Sequence, residues 1–344
     1  MSKFWTDDKI SILITYLRNN VNRKLIARKM NTTIDAINQA VRRYDLSEHV
    51  LSRKVTESFV KNINFDDLQD KNFDKLKKDA KLNWKIPKSK RKKKKNKEFE
   101  IGLLFPDTHI PHHNEKVCKA ILKLMNKVTF DKFIIAGDFM DLGCISHWNK
   151  NRHKTLELQR LKSDYIIGNS LLDEFDKRLP KDCDKYYLDG NHEKWSYDLV
   201  EEIPALEGMV EPTPMLKLEE RGYKVFEYNQ LLKLGRLYIT HGMYAGVNPI
   251  RKHIDDLKVN IAFGHTHTLG MRLAPSMARE IAFAGYNIGC VCDLAPEYLQ
   301  KKANSWTHGF AVAYFYPNGF FDVELIRIVN NKFVFNGKLY DGNK

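Results

Sequence analysis

The sequence has no uninterrupted apolar run close to the ~20 residues that a bilayer-spanning helix needs. Its first thirty residues also lack the apolar stretch and small-residue cleavage site of a secretory signal, because charges and Asn are spread throughout them. The first absence excludes an integral membrane protein, and we expect no membrane partner. The second predicts a cytoplasmic protein.

Cysteine is scarce and shows no pairing. The five cysteines are scattered, odd in number and without CxxC spacing. This pattern argues against a disulfide framework and against a structural zinc site, so it predicts reduced thiols. Cys290 and Cys292 lie two residues apart on a predicted strand and therefore face the same side. We interpret them as packing residues rather than metal ligands.

Acidic residues are scarce in one part of the chain. Residues 1–100 contain 26 Lys and Arg against 13 Asp and Glu, whereas residues 101–344 contain 31 against 30. Almost all of the net charge of +14 therefore belongs to the first hundred residues, and a polyanion is the natural partner of such a segment. With 344 residues, at roughly 100 to 200 per domain, the chain has room for a large domain and a small one.

Residues 1–48 predict a small all-α domain. Apolar residues recur at helical spacing from Ile10 to Leu17, which indicates the first helix. A second helix is expected at about residues 22–30 and a third at about residues 33–44, with a short polar turn between them. This is a helix-turn-helix pattern.

The third predicted helix presents side chains suited to base edges and phosphates in a major groove. The outward positions are Thr33, Asp35, Asn38, Gln39, Arg42 and Arg43. The tract resembles the small Trp-containing three-helix DNA-binding modules related to homeodomains, and this resemblance implies DNA as a partner. A three-helix module that docks on another protein is the alternative.

Residues 49–99 predict a polar linker that ends in a strongly basic run between Lys88 and Lys97. Such a run cannot pack a core. It is suited to binding nucleic acid without sequence preference, because cations that contact phosphates release condensed counterions. A solvated linker without a ligand is the alternative. The cations concerned are Lys90, Arg91, Lys92, Lys93, Lys94 and Lys95.

From residue 100 onward, short apolar runs alternate with helical stretches, which predicts an α/β domain over residues 100–344. The expected buried strands are Ile101–Phe105, Phe133–Ala136, Tyr186–Leu188, Leu237–Thr240 and Ile261–Phe263. Each is followed by polar groups of the metal-ligand type: Asp107 and His109, Asp138 and Asp141, Asn191 and His192, His241, and His265 and His267. Because ligands that follow separate strands converge beyond the carboxyl edge of an α/β sheet, we expect one site. Carboxylates, imidazoles and an amide oxygen suit Mn, Fe or Zn better than calcium.

The order Asp-x-His, Gly-Asp-x-x-Asp, Gly-Asn-His-Glu, His-Gly and Gly-His-x-His resembles that of the calcineurin-like metallophosphoesterases. The resemblance covers residues 101–270 and implies a two-sheet sandwich flanked by helices. It also implies two divalent ions, Mn first and Fe, Zn or Mg as alternatives, that hydrolyse phosphate esters with a hydroxide held between them. By this resemblance, one ion would be held by Asp107, His109 and His267, the other by Asn191, His241 and His265, and Asp138 would bridge the two.

The same resemblance gives roles to two further residues. His192 would face the leaving oxygen as general acid or phosphate stabiliser, with Asp141 orienting its ring; Asp141 as an ordinary strand-end acid is the alternative. Leu142 stands where the Ser/Thr protein phosphatases of the family have a phosphate-binding Arg, which disfavours that branch. The Gly-His-x-His ending is shared with nucleases of the Mre11 and SbcD type, phosphodiesterases and nucleotide pyrophosphatases, and it does not separate them. An insertion follows whose side chains either face substrate or pack: His147, Trp148, Arg152 and His153.

Three functions compete. The first is a nucleic-acid phosphoesterase of phage or bacterial type, a nuclease or DNA end-processing enzyme, brought to DNA by the amino-terminal module. The second is a nucleotide or small-molecule phosphodiesterase or phosphomonoesterase whose amino-terminal module serves only localisation. The third is a DNA-binding regulator with an inactive enzyme domain, which the complete ligand set opposes. Residues 271–344 are expected to complete the second sheet, and the oligomeric state stays open.

Overall fold

The computed structural model describes residues 5–18, 23–44, 46, 88, 98–146, 160–275, 282–296 and 304–344. The chain divides into two compact units, Met1–Phe73 and Asp74–Lys344. Basic residues 90–95, insertion residues 147–153 and most of the predicted linker lie outside the described residues. None of the described helices is long and apolar enough to cross a membrane.

The described residues of the amino-terminal unit form three short helices in the predicted order. Their apolar faces meet in one small core, in which Leu13, Ile26 and Ile37 have no exposed surface. The helices are α1 (Asp7–Arg18), α2 (Arg23–Lys29) and α3 (Ile34–Arg43). That this unit binds DNA stays a prediction.

The second unit alternates strands and helices as far as β7 and is mainly β-structure after it. Its strands are β1 (Glu100–Phe105), β2 (Lys132–Ile135), β3 (Asp184–Leu188), β4 (Tyr223–Phe226), β5 (Leu232–Leu234), β6 (Leu237–Ile239), β7 (Asn260–Phe263), β8 (Leu269–Ala274), β9 (Phe283–Ile288), β10 (Gly309–Phe315), β11 (Phe321–Arg327), β12 (Lys332–Phe335) and β13 (Lys338–Asp341). The α-helices among its described residues are α4 (Glu115–Met125), α5 (Leu161–Asp176), α6 (Asn191–Glu202), α7 (Pro212–Met215) and α8 (Pro249–Leu257).

Two sheets pack face to face. The first has the strand order β11-β10-β1-β2-β3-β4 and the second β5-β6-β7-β9-β8, while β12 and β13 form a separate two-stranded ladder. Strands β1 to β4 are parallel to their neighbours, and so are β6 and β7, whereas β10 runs antiparallel to β1. The predicted two-sheet α/β sandwich flanked by helices is therefore confirmed.

Alternation along the central strands builds the two sides of the first sheet, because successive side chains of a strand point to opposite faces. On β1, Leu103 and Phe105 pack with helices α4 and α5 in the outer core. Leu104, which lies between them, belongs instead to the core between the sheets, where it meets Ile239 and Ala262 of the second sheet. All five side chains are fully buried, so both faces of the sheet are covered.

The assignment of residues 271–344 to the second sheet is only partly right. Strands β8 and β9 do join that sheet, but β10 and β11 extend the first sheet beyond β1. The apolar run of β10 gives no local indication of its neighbour, because strand pairing is set by contacts with segments far away in sequence. Its register places Val312 opposite Leu103, more than two hundred residues earlier.

Candidate metal centre

The structure brings the seven predicted ligands together at one edge of the sandwich. Each follows the carboxyl end of a strand: the first two follow β1, the third β2, the fourth β3, the fifth β6, and the last two β7. These residues are Asp107, His109, Asp138, Asn191, His241, His265 and His267. Because β1, β2 and β3 are parallel to one another and β6 is parallel to β7, each set ends at a common edge, as the sequence predicts.

One half of the cluster is formed by two carboxylates and two imidazoles. His267 Nε2 lies 3.3 Å from Asp107 Oδ1 and 3.0 Å from His109 Nε2. His109 Nε2 is also 3.5 Å from Asp138 Oδ2. These four side chains are almost completely buried and direct their polar atoms toward one point.

The other half is arranged around His241. Its Nε2 lies 3.0 Å from Asn191 Oδ1, 3.2 Å from His265 Nδ1 and 3.2 Å from Asp138 Oδ2. The same oxygen, Asp138 Oδ2, thus faces both halves. A single carboxylate between two groups of ligands is the arrangement that a bridging role requires.

The distances fit bound cations. Ligand atoms that share one ion at ~2.1 Å lie about 3.0 to 3.4 Å apart, which is close to the separations found in both halves. One buried oxygen, Asp107 Oδ2, has no hydrogen-bond partner among the described residues, although buried carboxylate oxygens normally have one. The donor set of carboxylate, imidazole and amide suits Mn²⁺, Fe²⁺ or Zn²⁺. The residues present therefore fit two divalent ions.

Glycines next to the ligands leave room for close approach. A Cβ on Gly264 would lie 2.1 Å from Asp107 Oδ2, and one on Gly190 would lie 2.0 Å from Asp138 Oδ1. Both contacts are far shorter than any side chain tolerates. The Gly-His and Gly-Asn dipeptides of the sequence are therefore a packing requirement of the cluster.

The backbone at several ligands is held in the left-handed region. The φ angles are +50° at His109, +46° at Asp138, +66° at His265 and +56° at His267. For residues with a Cβ this conformation is costly, and it persists only where the surrounding structure imposes it. Strain is therefore concentrated at the ligands.

Contacts behind the ligands fix the orientation of two rings. The Nδ1–H of His241 donates to the backbone carbonyl of Ala136 at 3.0 Å, and that of His109 donates to Asp141 Oδ1 at 3.1 Å. In each case the hydrogen bond leaves Nε2 directed into the cluster. Such outer partners are a regular feature of histidines that bind metals.

The third ring of this kind is supported differently. The buried Nδ1 of His267 has no hydrogen-bond partner among the described residues, and the ring lies beside the side chains of Cys290 and Cys292. The three ligand-type atoms lie within 4.8 Å of one another. The interpretation of the two cysteines as packing residues thus missed their position directly behind a candidate ligand.

His192 lies beside the cluster, as predicted, with part of its ring exposed. Its Nδ1–H donates to the backbone carbonyl of Asp141 at 2.6 Å, whereas the Asp141 carboxylate is 3.5 Å away. The ring stacks on Trp195 with the centroids 4.0 Å apart, and its Nε2 is 3.9 Å from Asp138 Oδ2. Asp141 therefore orients His192 mainly through its carbonyl, while its carboxylate holds His109.

Glu193 is the functional residue that sequence reasoning missed. This fully buried carboxylate accepts from the amides of Asp138 at 3.0 Å, Gly190 at 2.8 Å and Met140 at 2.9 Å, and from the Tyr187 hydroxyl at 3.0 Å. It ties the loop after β2 to the start of α6. A Glu at the third position of a helix is a capping signal, and that signal was present in Gly-Asn-His-Glu.

Electrostatic coupling is strong within the cluster. Burial alone lowers the pKa of His241 and of His267, but attraction to Asp138 and Asp107 respectively raises each to about 10. Burial likewise raises the pKa of Asp138, yet His241 opposes it and holds that pKa well below its usual range. Because metal ligands bind in their deprotonated form, cations that bind here would compete with protons for these imidazoles.

The described candidates for DNA binding lie on α3 or at its start. Thr33 is the N-cap and accepts from the amide of Ala36 at 3.1 Å. Asn38 is half-buried and its side-chain oxygen accepts from the Arg23 guanidinium. The remaining candidates are exposed, namely Asp35, Gln39, Arg42 and Arg43. Asn38 is thus partly used within the unit, whereas these four are accessible.

No family model matches the chain. It is 23% identical over 259 residues to the Gene 54 protein of Mycobacterium phage L5, covering 70% of this chain and 98% of the relative. The Gene 54 protein of Mycobacterium phage D29 is 24% identical over 260 residues, with the same coverage. Solved structures that match include Vacuolar Protein Sorting 29 from Cryptosporidium parvum, with 14% identity, TM-score 0.35, and coverage of 71% of this chain and 95% of that one. Vps29 from Chaetomium thermophilum matches with 11% identity, TM-score 0.33, and coverage of 66% and 96%.

Proposed function

We propose that this protein is a two-metal phosphoesterase of the calcineurin-like kind and that its substrate is nucleic acid. The observation that carries the proposal is the position of Asp138 Oδ2 between two groups of buried ligand atoms at metal-like spacing. A structural ion needs one closed site, whereas a pair of sites with a common carboxylate is suited to phosphate chemistry.

The seven ligands divide as the spacing suggests. Asp107, His109 and His267 would hold one ion, Asn191, His241 and His265 the other, and Asp138 both. The chemistry that two such cations supply is the activation of a water molecule and the neutralisation of charge on the phosphate. The chain itself needs no Ser or Cys nucleophile for this reaction.

His192 would transfer the proton. Its Nδ1–H is engaged by the Asp141 carbonyl, so Nε2 is the nitrogen that faces the cluster. An Nε2–H in that position can stabilise the phosphate and protonate the leaving oxygen. Trp195, stacked on the ring, and the Asp141 carbonyl would hold it in place without contributing to cation binding.

Nucleic acid is favoured by the first hundred residues. Their charge excess and the exposed Arg42 and Arg43 on α3 suit a polyanion, and the run of Lys90 to Lys95 adds a strong, salt-sensitive phosphate-binding segment. The similarity to phage proteins fits an enzyme of phage type. A small-ester phosphodiesterase explains the metal cluster equally well, but it gives these Lys and Arg side chains no part in catalysis.

The test compares Mn²⁺-dependent cleavage of end-labelled DNA with that of a small chromogenic phosphodiester. Asp138→Asn should abolish both activities, and His192→Ala should retain two metal equivalents while losing about 100-fold or more in turnover. Arg42→Ala combined with Arg43→Ala should weaken only the cleavage of DNA. Unchanged DNA cleavage in that double variant would favour the small-ester enzyme, and two bound metals without turnover of any ester would favour an inactive regulator.

A further inference from the structure

A cavity of about 360 Å³ lies next to the metal cluster. Its lining includes Trp306, His308 and Arg327 together with Asn330 and Asn331. An indole, a guanidinium and two amides are the groups with which proteins contact nucleotides. None of the described residues that line it is acidic.

Trp306 connects this cavity to the cluster. Its ring packs edge to face against His267, with the centroids 4.1 Å apart and the planes at 72°. The backbone beside it is fixed, because the Thr307 amide donates to the His267 carbonyl at 2.8 Å and the Cys290 amide donates to Thr307 O at 3.1 Å. A group stacked on Trp306 would therefore be separated from His267, a candidate metal ligand, only by the indole ring.

The charge of the cavity suits an anion. Arg327 is exposed at the end of the edge strand β11 and forms no ion pair with any residue that the structure describes. The neighbouring acid, Asp293, accepts from the Ala295 amide at 3.0 Å, so part of its carboxylate is already engaged. The inner wall is neutral, because burial lowers the pKa of His308.

We propose that this cavity binds one nucleotide unit of the substrate, with its base against Trp306 and its phosphate near Arg327. The proposal rests on the proposed function and narrows it, because it makes a nucleoside on one side of the scissile phosphate a determinant of specificity. Base stacking on an aromatic ring is tolerant of sequence, so the site would select nucleotides without selecting among them.

The test uses two phosphodiesters with the same leaving group. 5′-Phosphothymidine 3′-(p-nitrophenyl) phosphate carries a base and a second phosphate at its 5′ position, and methyl p-nitrophenyl phosphate carries neither. In the full chain, Trp306→Ala and Arg327→Ala should each lower kcat/KM for the nucleoside ester at least about fivefold and leave the methyl ester unchanged. Trp306→Phe should retain most of the activity, and Arg236→Ala, on an exposed turn at the opposite end of the second sheet, is the matched control.

Four outcomes would overturn the proposal or separate it from the proposed function. Equal losses on both esters in Trp306→Ala would mean that the indole only supports His267, and no loss on either would remove the site. If the wild-type chain cleaves neither these esters nor DNA, the proposed function fails, and fluorescence quenching by thymidine monophosphate in EDTA decides the cavity alone. Quenching that Trp306→Phe abolishes supports it, and quenching that persists refutes it. Stronger competition by oligothymidylate than by the mononucleotide would identify a strand as the ligand.

Discussion

Replacement of Glu193 should destabilise the protein more than replacement of any of the candidate metal ligands. The carboxylate is fully buried and accepts four hydrogen bonds, three from backbone amides and one from Tyr187. In Glu193→Ala all four donors lose their acceptor. At about 1 to 3 kcal/mol for each buried donor left unsatisfied, the four donors give an expected loss of about 4 to 12 kcal/mol, which water entering the space would reduce. Because a domain is stable by only about 5 to 15 kcal/mol, this variant should be close to unfolding.

Glu193→Gln is the more informative change. It conserves the volume and one acceptor oxygen but places an NH₂ group against two N–H donors or against one N–H and the Tyr187 hydroxyl. The expected destabilisation is about 2 to 4 kcal/mol. The loop that carries Asp138 should also lose its position, so fewer than two metal equivalents should bind.

The assay is urea unfolding in EDTA followed by metal analysis after incubation with Mn²⁺. Glu174→Gln is the matched control, because Glu174 is also a buried carboxylate but its partners Lys177 and Arg178 belong to its own helical segment, away from the cluster. We expect this control to bind two equivalents. If Glu193→Gln unfolds within about 0.5 kcal/mol of the wild type and binds both metals, the organising role of the carboxylate is refuted.

Three further predictions concern residues around the cluster. Gly264→Ala should lose at least one metal equivalent, because its Cβ would lie 2.1 Å from a cluster carboxylate oxygen, whereas Gly246→Ala, with nothing within 4 Å, should bind as the wild type does. Cys292→Ala should weaken metal binding about 10- to 100-fold in calorimetric titration by removing the sulfur behind His267. Cys292→Ser should restore part of the lost affinity. Equal metal affinities of Cys292→Ala and the wild type would show that the sulfur has no such role. Burial lowers the pKa of His253, so the neutral ring stabilises the folded protein above the unfolded pKa of ~6.5, and this stability is lost as the pH falls. Between pH 7 and pH 5 the melting temperature should therefore drop less in His253→Gln than in the wild type. Parallel plots of melting temperature against pH for the two proteins would contradict this.

The position of the candidate metal cluster was predictable because each candidate ligand is next to a local signal. Asp107 and Asp138 directly follow apolar strands, and a strand end fixes the position of the next few side chains within narrow limits. Parallel pairing of those strands then brings the ligands together without further information. The chemistry of the side chains completes the argument, since His and Asp after several strands have few other uses.

What supports the ligands was not predictable in the same way. Glu193 accepts hydrogen bonds from the amides of Asp138 and Met140, more than fifty residues earlier. Cys292 lies behind His267 only because the strand that precedes it, β9, pairs with β7. The antiparallel addition of β10 to β1 is of the same kind. Local patterns indicate which face of a strand is apolar, but the neighbour that covers it depends on the complete topology.

The energetically unfavourable features of this structure occur at one place, and that place bears on its function. Left-handed backbone at Asp138 and His265, a buried Asp107 oxygen with no partner among the described residues, and glycines that permit the close approach all occur at the cluster. Each is unfavourable by itself, and a sequence under selection for stability alone would remove them. Since bound cations would satisfy the oxygen and attract the clustered carboxylates, the strain is best explained as the cost of holding ligands in position before cations arrive.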